Sequence, residues 1–126
     1  MIAFNSEYEI LTPEGWRDFK AITQTEKKEV VEVTLENSSV KATKNHYFFN
    51  NDKKIKVSEL SVGDYIDTSL GPQQIMNIDN NDVTSTVYDI VEVDAYNHKF
   101  VINGGIITKN CDEFAFVQPN MADEFW

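Results

Sequence analysis

Three features of this sequence predict an all-β domain. Strand-like runs of mixed apolar and polar residues are short, and Gly-, Pro- and Asn-rich turn signals recur roughly every ten residues. No window of about eleven residues carries helical apolar periodicity, apart from one turn's worth at 58–60. The 126 residues suffice for one domain with its own core, needing neither metal nor disulfide staples.

Taken in order, Glu9-Ile10-Leu11-Thr12 runs into Pro13-Glu14-Gly15, and Trp16 resumes the extended pattern. Proline presets the first turn dihedral and glycine accepts the last, so a tight hairpin is expected. Val30-Val31-Glu32-Val33-Thr34-Leu35 is β-branched and alternating, and it turns through Glu36-Asn37-Ser38-Ser39 into Val40-Lys41-Ala42-Thr43 as a second hairpin. Ile55-Lys56-Val57 leads to the short helical turn Ser58-Glu59-Leu60, and Gly63-Asp64-Tyr65-Ile66 opens another strand. Asp79-Asn80-Asn81-Asp82 is the most loop-like stretch by composition. Beyond it Val87-Tyr88-Asp89-Ile90-Val91-Glu92-Val93 and Lys99-Phe100-Val101-Ile102 read as strands. Asn103-Gly104-Gly105 supplies the positive φ of a turn, and Ile106-Ile107-Thr108 returns from it. From Cys111 onward the hairpin pattern stops, so residues 111–126 are treated as a tail foreign to the domain.

Composition narrows the function classes. Hydrophobic residues make up 41% and aromatics 12%, which fits a folded globular chain rather than a disordered one. The formal charge of −10 argues against nucleic acid as a partner, because phosphate binding needs clustered Lys and Arg. No apolar run approaches the ~20 residues of a membrane span, and Met1-Ile2-Ala3-Phe4-Asn5-Ser6-Glu7 lacks the basic start of a signal peptide. A membrane partner is therefore not expected. The single cysteine, Cys111, has no second thiol to pair with, and a cytoplasmic protein is the simplest reading. Nothing points to a metal or a cofactor.

The residues that suggest chemistry are few. Asn110 is followed directly by Cys111 at the end of a strand. An asparagine amide can attack its own backbone carbonyl, closing a succinimide and cleaving the chain after itself. The thiol that follows can hold an acyl group as a thioester and pass it to a freed amine. Taken alone, Asn-Cys is more often a plain surface dipeptide. Thr43-Lys44-Asn45-His46 places a hydroxyl and an imidazole three apart at a strand end, where they could serve one scissile peptide, the histidine giving a proton to the departing amine. Asp89 is a carboxylate among apolar strand residues; facing inward it would move a proton between steps. His98 precedes the final hairpin and could reach Asn110 across Asn103-Gly104-Gly105. For each of these the bland alternative is a solvated side chain without a task.

Read in order, these residues resemble the splicing blocks of an intein. Ala3-Phe4-Asn5-Ser6-Glu7-Tyr8-Glu9-Ile10-Leu11-Thr12 with Gly15 resembles the first block. Val33-Thr34-Leu35 through Thr43 and His46 resembles the second, continuing in Glu59-Leu60-Ser61-Val62-Gly63-Asp64-Tyr65-Ile66. Val87-Tyr88-Asp89-Ile90 and the run from His98 to Asn110, with Cys111 beyond, look like the last two. The resemblance spans residues 3–110. It implies the horseshoe-shaped Hint fold of antiparallel hairpins with pseudo-two-fold symmetry, and no homing endonuclease, since the stretch between Ile66 and Val91 is too short to hold one. It also implies a four-step reaction. A first-residue nucleophile attacks the preceding carbonyl, Cys111 captures the acyl group, Asn110 cyclises, and an S-to-N shift leaves a native peptide bond. Thr43 and His46 would activate the upstream junction, Asp89 would couple the two junctions, and His98 would assist cyclisation.

Two positions depart from the family. Ala3 stands where Cys or Ser is usual. Either a nucleophile has been replaced and the precursor is trapped, which is the preferred reading, or the chain is of the minority that start with Ala and let Cys111 attack the upstream peptide directly. Ser6 is no substitute, because starting there leaves too few residues before Ile10. Lys109 stands where the family usually has His, which puts more weight on His98.

The resemblance divides the chain into an upstream extein remnant at 1–2, a splicing domain at 3–110 and a downstream extein at 111–126. The joined flanks would read Met-Ile-Cys-Asp-Glu-Phe-Ala-Phe-Val. Together with Asp123-Glu124-Phe125-Trp126 this looks like the Walker B region of the large terminase subunit of tailed phages, which would place the protein in the cytoplasm of a bacterial host cell. Its partners would then be its own exteins, in a monomer, with a natural form split into two fragments left open. Two rivals remain. A hedgehog-type autoprocessing domain shares the fold but has no use for a terminal Asn, and a β-barrel binding module leaves Thr43, His46, Asp89 and Asn110 as coincidence.

Overall fold

The computed structural model describes residues 2–109 together with the short strand at 116–117. Asn110, Cys111 and most of the 111–126 tail lie outside the described residues.

Turn chemistry starts the fold. β2 (Ile10–Thr12) and β3 (Gly15–Arg17) form the expected hairpin. Thr12 Oγ1 donates to the Gly15 carbonyl at 2.7 Å and accepts the Glu14 N–H at 3.1 Å. The same device recurs between β8 (Tyr65–Ile66) and β9 (Gln73–Val93). There Thr68 Oγ1 donates to the Gly71 carbonyl at 2.6 Å and accepts the Leu70 N–H at 3.1 Å. Gly15 and Gly71 close these turns at φ 103° and 98°, left-handed values that a Cβ would strain. The repeated Thr-x-x-Gly turn is the local trace of a pseudo-two-fold relation, since each copy feeds one of the two long strands.

Those long strands are β4 (Phe19–Leu35) and β9, paired antiparallel from Phe19↔Val93 to Leu35↔Ile75. Their ladder slips between Thr25 and Lys28, where Lys27 takes φ 57°, and again at Val30/Glu32 and Thr34/Leu35. Such bulges sharpen strand bending. The bends let β4 serve two neighbours on its other edge: β1 (Ile2–Phe4) at residues 21–23 and β5 (Ser39–Ala42) at residues 31–34. β12 (Phe116–Val117) pairs with β5 at Ala42 and with β9 at Tyr88, closing a ring of strands. β6 (Tyr47–Asn50) with β7 (Lys53–Lys56), and β10 (Lys99–Ile102) with β11 (Ile106–Lys109), complete the fold as hairpins. The expected helical turn is a 3₁₀ turn at Val57–Glu59.

Phe48, Phe100, Ile22, Ile66, Ile75, Ile90 and Ile106 are fully buried and fill the centre between these layers. Along β4, Val31, Val33 and Leu35 are buried while Glu32 and Thr34 are less so, which is the alternation of a strand with one inner face. Residues 87–90 of β9 are all buried, with β4 along one edge and β12 meeting the other at Tyr88.

One expectation is corrected. Asp79-Asn80-Asn81-Asp82 is not a loop but the middle of β9, with Asp79 opposite Glu32 and Val83 opposite Val30. Pairing with β4 on either side, at Asp79 and Val83, carries the strand through a register shift despite the weak strand preference of Asp and Asn.

Candidate active site

Thr43 and His46 flank a tight turn that ends β5: the His46 N–H donates to the Thr43 carbonyl at 3.1 Å. This explains the spacing of three, since such a bond joins residues i and i+3. The turn is pinned from the far side, the Val57 N–H donating to the His46 carbonyl and the Ser58 N–H to the Lys44 carbonyl, both at 2.9 Å. Thr43 is buried and His46 is fully buried. The imidazole stands edge-on to Phe48, with ring centroids 5.7 Å apart. Burial costs the charged form its hydration, and the His46 pKa is lowered from 6.5 to about 3. The ring is neutral across the physiological range.

A residue that sequence reading missed completes this corner. Thr108 on β11 is fully buried, its Oγ1 2.5 Å from His46 Nε2 and 2.6 Å from the Tyr47 carbonyl oxygen. The signal available was a single polar residue in the inward phase of Ile106-Ile107-Thr108, which marks a buried hydroxyl in need of a partner.

Asp89 is fully buried in β9, and its Oδ1 accepts the Ile90 N–H at 2.8 Å. The register sets it in one row with Thr23 of β4 and Ile2 of β1. Ala3 occupies the next row, opposite Ile22, which is paired with Ile90. Thus the residue before Ala3 lies two strands from the carboxylate, a separation of roughly 10 Å at ordinary strand spacing. Ala42 and Tyr88 both face Phe116 of β12, so Thr43 and Asp89 each follow a residue on that shared rung.

His98 is organised differently. It is exposed, at the end of a 3₁₀ turn (Tyr96–His98), and both Asn97 and His98 hold left-handed φ, 56° and 55°. Its N–H donates to the Ala95 carbonyl at 2.9 Å, and Nδ1 lies 2.8 Å from the Val93 carbonyl oxygen. A carbonyl only accepts, so Nδ1 is the donor in this contact. The β10–β11 ladder begins at Lys99↔Lys109, directly after His98. Lys99 also caps the Phe49 ring at 4.4 Å and pairs with Asp52, fixing the start of β10. The structure therefore joins Thr43, His46 and Thr108 at one corner, sets Asp89 in the row of Ile2, and anchors His98 within its own loop. Asn110 and Cys111, the predicted downstream pair, lie outside the described residues.

A cavity of about 430 Å³ lies elsewhere, lined by Leu11, Trp16, Phe19 and Ile102 among others and by none of the predicted site residues. Among the described residues, no group of three or more His, Cys, Asp or Glu is placed to hold a metal ion, and no helix is long and apolar enough to cross a membrane.

No protein-family model and no curated protein matches this sequence. Solved structures do. The VidaL intein, as its selenomethionine variant, is 25% identical, with 80% of this chain and 68% of that one covered at a TM-score of 0.70. A consensus engineered intein with an atypical split site is 23% identical over 91% of this chain and 92% of its own, at a TM-score of 0.73. A bacterial intein-like domain from Clostridium thermocellum is 19% identical over 87% and 99%, at a TM-score of 0.64. With its strands mostly antiparallel, its ring of hairpins and these likenesses, the chain has the Hint fold of inteins.

Proposed function

We propose that the chain is a protein-splicing domain that excises residues 3–110 and joins the segments on either side. One observation carries this reading. The strand that precedes Asn110 in the sequence and the turn that bears Thr43 and His46 are joined by a buried hydrogen bond between His46 and Thr108, which supports a link between the two junctions.

The reaction would run as follows with a thiol at position 3. The sulfur attacks the Ile2 carbonyl carbon, and the peptide C–N bond to residue 3 breaks. His46 carries the thiol's proton to the freed amine, with Thr43 adding a hydroxyl to the same junction. The Cys111 sulfur takes the acyl group and releases the first thiol. Asn110 Nδ2 then attacks its own carbonyl carbon, forming a succinimide and freeing the Cys111 amine, which displaces the sulfur to give an amide. Asp89, buried in the row of Ile2, would shuttle the proton that each sulfur must lose or regain. His98 would serve cyclisation, since it directly precedes the β10–β11 ladder, whose first pair is Lys99↔Lys109.

Ala3 cannot begin this sequence, so the chain is read as a precursor stopped at its first step, without an endonuclease. The flanks are read as parts of a phage terminase large subunit made in a bacterial cytoplasm. Intact mass of the chain placed between two reporter proteins tests the proposal, with Ala3→Cys beside the unchanged sequence. Ligated reporters plus a free domain from Ala3→Cys alone support splicing and a trapped start. Ligation from both supports direct attack by Cys111. A folded chain that neither ligates nor cleaves after Asn110 in either form overturns splicing in favour of a binding module.

A further inference from the structure

Thr108 holds one hydroxyl proton and touches two possible partners. The Tyr47 carbonyl, 2.6 Å away, can only accept. With the Thr108 proton donated there, the 2.5 Å contact to His46 is a hydrogen bond only when Nε2–H donates to Oγ1. We propose that Thr108 is a positioning residue for the upstream step: it fixes the proton of His46 on Nε2, leaves Nδ1 as the proton-accepting nitrogen, and makes that setting depend on the seating of β11.

Three further observations support this. His46 and Thr108 are both fully buried, so water does not compete for the bond. The ring is held neutral by burial, so one nitrogen must lack a proton and the choice between them has chemical meaning. Thr108 also lies in a closed hairpin, opposite Phe100, with Lys109 following. A shift of β11 on cleavage or rearrangement at the downstream end would therefore move the hydroxyl away from Nε2. The upstream catalyst would be set only while the downstream strand is in place, which orders the two halves of the reaction.

The inference rests on the splicing reading for its consequence, not for its geometry, and the test separates the two. ¹⁵N NMR of the imidazole in the unaltered chain reads the tautomer directly. The expected result is a protonated Nε2 and an unprotonated Nδ1, and the opposite tautomer overturns the inference whatever the chain does chemically. The activity arm uses Ala3→Cys with Asn110→Ala and Cys111→Ala, which leaves only the upstream step, read as thiol-induced release of the upstream reporter over a range of pH. Adding Thr108→Val is expected to slow release roughly 10- to 100-fold, in keeping with loss of a group that orients an acid–base catalyst, and to displace its pH profile. Thr108→Ser is expected to restore both. Equal rates and profiles for all three overturn the positioning role. No release from any of them, with the Nε2 tautomer intact, counts against splicing and leaves the tautomer assignment standing.

Discussion

At the scale of single residues, the buried imidazole gives the clearest pH dependence. The His46 pKa in the folded state, about 3, lies below its unfolded value of 6.5. The unfolded chain therefore binds the extra proton first, and folded stability, complete above pH 6.5, is lost as pH falls toward 3. The slope approaches about 1.4 kcal/mol per pH unit. Urea unfolding between pH 7 and 5 should show this loss, and His46→Gln should remove most of it; an unchanged slope in that variant would place the effect elsewhere. Where the candidate site residues sit was partly legible. Thr43 and His46 stood out because three-residue spacing is a local property, written in a turn. Thr108 did not, because its partner is 62 positions away and only the fold brings them together. Asp89 was legible as a carboxylate in an apolar strand. Its burial comes with the long-range pairing of β9 on β4, which no local pattern reveals.

At the scale of elements, turns were the best-read features, since Pro and Gly act through their own dihedrals. The Asn103–Gly105 turn shows how far this goes. Gly104 has φ 76°, and a Cβ there would overlap the Ser38 side chain; at Gly105, φ 80°, it would come within 2.5 Å of Ser69 Oγ. The glycines thus serve turn geometry and also let the β10–β11 hairpin sit against two other turns, helped by Asn103 Nδ2 donating to the Ser39 carbonyl at 3.0 Å. Gly104→Ala should destabilise the chain by about 1–3 kcal/mol, measured by denaturant midpoint. A loss no greater than a few tenths would mean that the turn relaxes freely. The stretch at 79–82 was misread for the converse reason: its residues favour turns locally, but the ladder to β4 resumes on either side, at Asp79 and Val83, and carries the strand through an irregularity. β6 was also passed over, because Tyr47-Phe48-Phe49 lacks a polar alternation when buried against the core.

At the scale of the molecule, β4 and β9 bind the two related halves together by lending each other their longest edge. Neither half has a complete sheet. A chain opened in the exposed turn at 36–37 would leave β9 in one piece and β4 in the other. Each piece alone should lack a cooperative thermal transition, and the mixture should regain one whose midpoint rises with concentration, as followed by far-UV circular dichroism. A cooperative transition in either isolated piece would refute this dependence. The all-β class and the order of hairpins were readable from turn spacing, whereas the exchange of long strands was not, since it arises from bulges whose positions the apolar pattern does not mark.

The two-residue strand Phe116–Val117 bears on what remains after the reaction. Its backbone fills the seam between β5 at Ala42 and β9 at Tyr88. Under the splicing reading this strand departs with the joined product, and the spent domain then bares two strand edges whose N–H and C=O groups invite another chain. Solubility of the by-product would be governed by whatever next enters that seam, be it water, the departing product or a second spent copy.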